Sequence, residues 1–289
     1  NLRSQHNLES AWKASWFWLK GSDTSSKYLG NIKNLNASDQ CTRLNAIYRA
    51  AHKDNISILT KKIDQLAGKK LHLRKLSKNE KGRHIPKDLN EGWERRWNER
   101  AVLFDDSAYA LGTIGIEAVP ELTSYLSHED TWVVLNMIFA LGEIGAEAEL
   151  AKPKLVNLLN SSQQVIVRQT LDTLSSIGGN LDLALQPIEK FFTNKNEEWC
   201  DPLVMRGWNA QEQIEINSAF LLLSAVDSQT NQFVLENLLK IVLSYSNSYA
   251  ANIAVEALKR IGTESALESS VQYLQNHFWD DRLNKQKQY

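Results

Sequence analysis

Few of the 289 residues combine a reactive side chain with the spacing that catalysis or metal binding requires. The six histidines (His6, His52, His72, His84, His128 and His277) are scattered, and none stands four residues from another histidine. One His-Glu pair, His128-Glu129, cannot supply the three or four ligands of a metal centre. Glu129 and Asp130 instead fit the acids that a helix N-terminus favours. Cys200 has no histidine close in sequence to activate a thiolate. With Cys41 it makes too few cysteines for a disulfide scaffold or a zinc module. No G-x-S-x-G elbow, P-loop or G-x-G-x-x-G turn occurs. The sequence therefore assigns no catalytic, cofactor-binding or metal-ligating residue within this chain.

Binding chemistry is better represented. The stretch N-K-N-E-E-W-C-D-P-L-V-M-R-G-W-N-A-Q-E-Q, residues 194–213, concentrates Trp199, Asp201, Arg206 and Trp208. Tryptophan and arginine are frequent contact anchors, so these four are candidate partner contacts. The other reading packs both tryptophans onto their own part of the fold. Residues 69–87 hold eight lysines and arginines against the single acid Glu80, a net charge of +7. Lys69, Lys70, Arg74 and Lys75 are candidate contacts for a polyanion. No aromatic residue in the stretch offers a base-stacking platform, which argues against nucleic acid; the alternative is a solvated linker. Beyond it, Trp93 and Trp97 stand one helical turn apart and fit an anchor for the first helix that follows.

The elements that must position these residues announce themselves by repetition. A-L-G-T-I-G at 110–115, A-L-G-E-I-G at 140–145, T-L-S-S-I-G at 173–178 and A-L-K-R-I-G at 257–262 are variants of one string. A period near thirty residues marks a stacked repeat. Pro120, Pro153 and Pro187 recur with it. Val134, Ile138, Leu141 and Gly145 share one helical face, which predicts that Leu141 and Ile144 are buried between hairpins. The glycine closing each string fits a left-handed helix end. Each proline then falls in the first turn of the next helix, where a missing N–H is no loss. The small Ala and Gly of A-L-G would let neighbouring helices approach closely. A degenerate copy at 217–226 puts Val226 in the glycine's place, 48 residues after Gly178, so about 15 residues are inserted near 194–213. Inserts in stacked repeats map to loops, often on the binding side. Residues 39–67 also read as helical, with Ile56, Leu59, Ile63 and Leu66 on one stripe.

These strings resemble HEAT-like repeats, in particular the short form also called phycobilisome-lyase-type repeats, over about 101–278, or roughly 60% of the chain. The resemblance implies an α-solenoid of about five helical hairpins and says little about activity. Deoxyhypusine hydroxylase, a HEAT-repeat enzyme, holds iron through repeated His-Glu motifs, which this chain does not repeat. Chromophore chemistry does not follow from a shared repeat either. At the N-terminus, Trp12, Trp16, Phe17 and Trp18 crowd together. They fit either a strand whose sheet lies upstream or an aromatic helix over the solenoid's open end. The run N-L-R-S-Q-H-N-L-E-S-A-W-K-A-S-W-F-W resembles the closing strand of phytanoyl-CoA dioxygenase-type oxygenases. That family binds Fe(II) through a His-x-Asp pair and a distal His, and 2-oxoglutarate through an Arg near this strand. The matching slot near Trp12 has no Arg, which departs from the family; the resemblance implies iron ligands upstream of residue 1.

Composition closes off other classes. Hydrophobic residues make up 43% and charged residues 23%, with a formal net charge of −1. This is ordinary for a globular chain and unlike a nucleic-acid-binding polycation. No apolar run reaches the length of a transmembrane helix. Residue 1 is Asn and the only methionines are Met137 and Met205, so the expectation is a piece of a longer, cytoplasmic protein. The domains expected are an aromatic segment (1–38), a helical hairpin or cap (39–67), a basic linker (68–100), the repeat solenoid (101–278) and a polar tail (279–289). The expected function is that of a protein-binding or scaffold module. The alternative is the non-catalytic C-terminal part of an Fe(II)/2-oxoglutarate-dependent oxygenase.

Overall fold

The computed structural model describes residues 32–35, 40–68, 104–200 and 209–279. Among them there is no strand, and the chain folds as an all-α solenoid of helical hairpins. The helices are α1 (Gln40–Ala50), α2 (Ile56–Asp64), α3 (Asp106–Ile114), α4 (Val119–Tyr125), α5 (Thr131–Ile144) and α6 (Lys152–Leu158). They continue as α7 (Gln164–Ile177), α8 (Asp182–Thr193), α9 (Ala210–Ala225), α10 (Gln232–Tyr245), α11 (Ser248–Ile261) and α12 (Glu264–Leu274). Each odd-numbered helix opens a hairpin and the next even-numbered helix closes it. Successive odd helices pack directly on one another as one layer, while the even helices form a second, more loosely joined layer.

The A-L-G strings explain the tight layer. A methyl group on Gly112 would lie 2.5 Å from Cβ of Glu143 on α5, and one on Gly142 would lie 2.8 Å from Oγ1 of Thr173 on α7. Glycine is what lets α3, α5 and α7 approach so closely. Thr173 stands where the first two strings have Ala, and its hydroxyl donates to the Ile138 carbonyl at 2.9 Å, tying α7 to α5. Leu111, Met137, Ile138, Leu141, Leu155 and Leu174 are completely buried between the layers, each worth about 1.5–3 kcal/mol of transfer free energy. Ile144 is only half-buried, because it lies in the last turn of α5, at the edge of the stack.

The closing glycines do more than end a helix in the left-handed region. Gly145 has φ 73° and ψ −137°, the mirror image of the β region, which only glycine adopts freely. Gly115 and Gly178 take the same backbone; only Gly262 is truly left-handed helical. Pro120 and Pro153 fall in the first turns of α4 and α6. Pro187 departs from expectation and lies inside α8. The residues after Gly178 pass directly into an α-helix, whereas 3-10 turns precede α4 and α6. Leu183, whose carbonyl Pro187 cannot serve, is exposed to water, which softens the loss.

Buried polar groups brace the helix starts. Asn136 on α5 is fully buried. It accepts the Asp105 N–H at 2.8 Å, and Asp105 in turn caps α3 through the Ser107 N–H. Glu215 on α9 accepts from both the backbone and the side-chain amide of Asn247 at 3.1 Å, and Asn247 caps α11. The α1–α2 hairpin joins the stack in the same manner. Leu59 and Ile63 are fully buried. Thr60 donates to Glu121 at 3.2 Å, and the Gly68 N–H donates to Asp130 at 2.8 Å.

Gly112→Ala tests the close approach. Helix propensity alone would favour alanine by about 1 kcal/mol, but overpacking costs about 1–3 kcal/mol. The urea midpoint is expected to fall; a rise would show that α3 and α5 have room to spare.

Candidate functional site

With the odd helices packed side by side, one face of that layer turns away from the even helices and is not covered by them. A closely packed layer backed by a looser one curves toward the closer side, the geometry that gives stacked repeats a concave surface. Counting six residues back from each closing position gives Tyr109, Phe139, Asp172, Phe220 and Glu256, one per odd helix from α3 to α11. This row runs across the open face, and its neighbours meet from helix to helix. Tyr109 packs edge-on against Phe139 with ring centroids 4.7 Å apart, and Phe139 stacks on Phe104 at 4.0 Å. Phe220 meets Tyr249 edge-on at 6.5 Å, and these two rings are 45% and 46% exposed. Between these two aromatic clusters lies a polar centre. Arg168 donates to Gln213 at 2.6 Å, and Asn217 donates to Asp172 at 2.9 Å.

Burial among these helices pushes the Asp172 carboxyl up to about 6, against the pull of the Arg168 guanidinium one turn earlier. The residue as a whole is exposed to water, so crowding by the neighbouring helices rather than enclosure raises it. Two aromatic clusters, Tyr109–Phe139 and Phe220–Tyr249, flank a centre of amide and carboxyl groups able to donate and accept hydrogen bonds, and the row ends on Glu256, which pairs with Arg260 at 3.3 Å.

The insertion begins as an anchored segment. After α8, Lys195 pairs with the buried Glu215 at 2.8 Å. Gln211 donates to the Phe191 carbonyl at 2.6 Å, and its side-chain oxygen accepts the Asn196 N–H at 3.4 Å. A 3-10 turn over Glu197–Cys200 follows. It places Trp199 in the core at 9% exposure, as the packing reading of this residue requires. Cys200 donates its thiol hydrogen to the Asn196 carbonyl at 3.3 Å. Asp201, Arg206 and Trp208 lie outside the described residues, as do Lys69, Lys70, Arg74 and Lys75, Trp93 and Trp97, and the aromatic segment 1–20 with its oxygenase resemblance. At the far end of the insertion, Asn209 and Glu212 form a reciprocal capping box that starts α9.

The His-x-Asp spacing associated with that oxygenase family does stand in the sequence twice, at His52-Lys53-Asp54 and His128-Glu129-Asp130. Both are local turns. His52 Nδ1 accepts the Asp54 N–H at 3.4 Å, and His128 Nδ1 accepts the Asp130 N–H at 2.9 Å. The other ring nitrogen of His128 pairs with Asp64 at 3.1 Å, and Asp130 caps α5 through the Trp132 and Val133 N–H groups. Among the described residues no three His, Cys, Asp or Glu side chains converge as a metal site would require. None of the described helices is long and apolar enough to cross a membrane.

Sequence reasoning missed the open-face row because its members share a position and not a residue type. The signal was available by counting back from the closing glycines.

No protein-family model matches this chain and no curated protein matches it. Among solved structures it is similar to an engineered protein at 16% identity and a TM-score of 0.43, over 81% of this chain and 98% of that one. It is also similar to a designed armadillo repeat protein in complex with the peptide (KR)4, at 14% identity and a TM-score of 0.37, over 85% and 97% of the two chains. A second designed armadillo repeat protein is similar at 16% identity and a TM-score of 0.40, over 81% and 99%.

Two outcomes are expected. Trp199→Ala should destabilise the fold by about 3–5 kcal/mol, read from urea denaturation; an unchanged midpoint would remove Trp199 from the core. The raised carboxyl of Asp172 means that the folded chain holds a proton there that the unfolded chain has released between the ordinary value of 3.8 and about 6. Stability should therefore fall as pH rises through this window. Asp172→Asn should flatten that slope, and equal slopes in the two proteins would contradict the assignment.

Proposed function

We propose that this chain is a protein-binding module that holds a segment of another polypeptide along the open face of its odd-helix layer. The observation that supports it most is the exposed Phe220–Tyr249 pair beside the polar centre of Arg168, Asp172, Gln213 and Asn217. Aromatic rings anchor contacts by burying large area at little conformational cost. The amide and carboxyl groups between them match the donors and acceptors of a backbone. Successive helices in such a layer lie about 8–10 Å apart, so the row presents one side chain per step to a ligand lying across it. Asp201, Arg206 and Trp208, which follow the anchored Trp199 in sequence, are proposed to add contacts of the same kind. No observation among the described residues favours the oxygenase alternative.

The test is selection of peptides from a random displayed library on the wild-type chain, followed by affinity measurement on Phe220→Ala/Tyr249→Ala. Both rings are partly exposed, so the variant should stay within about 1 kcal/mol of wild-type stability while its affinity for the selected peptides falls about tenfold or more. Peptides that bind both proteins equally, or a large loss of stability in the variant, would contradict the proposal.

A further inference from the structure

A second surface lies at the edge where odd helices turn into even ones. The connections after Gly115, Gly145, Gly178 and Val226 stand side by side. The Lys152 ammonium, at the start of α6, donates to the Asn180 carbonyl at 3.3 Å. Asn180 donates to the Gln229 carbonyl at 3.0 Å, and the Leu181 N–H reaches Thr230 at 3.0 Å. Each connection, or the first turn it leads into, exposes a large apolar side chain: Ile116 at 51%, Leu150 at 79%, Leu183 at 65%, and Phe233 at 75% with Val234 beside it at 42%. Leu150, Leu183 and Phe233 are the most exposed large hydrophobic residues among those described. Scattered apolar residues on a surface need no explanation; their recurrence in four successive connections, at the same offset for Leu150 and Leu183, does.

The same edge is acidic. Glu117, Glu147, Glu149, Asp182 and Asp227 are all exposed, and the carboxylates of Glu117 and Glu147 converge above Gly115. The ammonium facing them, that of Lys152, is itself buried and held by Glu149 at 3.2 Å. Helix N-termini favour acids here, but they give no reason for exposed leucine and phenylalanine.

We infer that this edge docks a lysine- and arginine-rich segment of a partner protein, extended, with an apolar residue at every third position. The charge complements the five carboxylates. The register matches too: a polyproline-type extended chain advances about 9.3 Å per three-residue turn, close to the step between stacked helices. Apolar residues at that period would meet Ile116, Leu150, Leu183 and Phe233 in turn, with the cations between them facing the acids. This inference uses a different surface from the open face and does not depend on it.

The experiment uses the full chain and a fluorescent peptide of repeated Leu-Lys-Lys, with repeated Leu-Glu-Glu as the comparison. The basic peptide is expected to bind, and Leu150→Ser/Leu183→Ser to weaken it about tenfold with the melting curve unchanged. Glu117→Gln/Glu147→Gln should flatten the dependence of binding on salt. Equal binding of the acidic peptide, or full affinity in Leu150→Ser/Leu183→Ser, would overturn the inference. So would loss of binding in Phe220→Ala/Tyr249→Ala instead, which would seat the peptide on the open face. Binding that emerges only when Lys69, Lys70, Arg74 and Lys75 are replaced by glutamine would identify the chain's own basic stretch as the occupant and overturn a partner segment.

Discussion

The close approach of α3, α5 and α7 at Gly112 and Gly142 is the contact on which the remaining architecture depends. A methyl group at either site would collide with the facing helix at 2.5 or 2.8 Å. With glycine present, the odd helices form a continuous layer, and each hairpin buries its leucines only because the next one is there. This is the one-dimensional cooperativity of stacked repeats. Where the string changes, another device takes over. Thr173 bonds across to α5, and farther along the buried Glu215 ties α9 to the cap of α11 and to Lys195 at the start of the insertion.

Two surfaces follow from that layer, and they differ in chemistry. The open face carries one outward residue per helix: two aromatic clusters flank a polar middle, and Glu256 closes the row. The turning edge carries exposed aliphatic and phenyl groups among carboxylates. Most of the side chains on these surfaces lie outside the interlayer core, although Phe139 packs against it and Asn217–Asp172 joins α9 to α7. Their composition is free to answer to something other than packing.

Much of this fold was legible in the sequence, since glycine and the leucine spacing report backbone and burial directly. Gly115, Gly145 and Gly178 had to adopt a positive φ, and they do. Ile56, Leu59, Ile63 and Leu66 had to share a stripe; the middle two are fully buried and the outer two pack against the core. Pro187 was misplaced because α8 begins four residues after Gly178, whereas α6 begins seven residues after Gly145, so a similar spacing from glycine to proline falls inside the helix. The insertion showed as a break in the period. For Trp199 the sequence left contact and packing both open, because the residues that seat its segment, Gln211 and Glu215, lie on the following helix. The exposure of Leu150 and Leu183 has no signal in residue type or spacing; the path of each connection turns them outward.

The most direct test of the central contact is a double-mutant cycle between Gly142 and Thr173, read from urea denaturation. Removing the threonine hydroxyl clears the space that a methyl group on residue 142 would enter, at the loss of one hydrogen bond worth about 1 kcal/mol. Gly142→Ala should cost about 1–3 kcal/mol in the wild-type chain and much less in Thr173→Ala, leaving a coupling energy of about 1 kcal/mol or more. Equal costs in the two backgrounds would mean that the space between residue 142 and the Thr173 hydroxyl does not limit the approach of α5 and α7, and that the stack rests on something else.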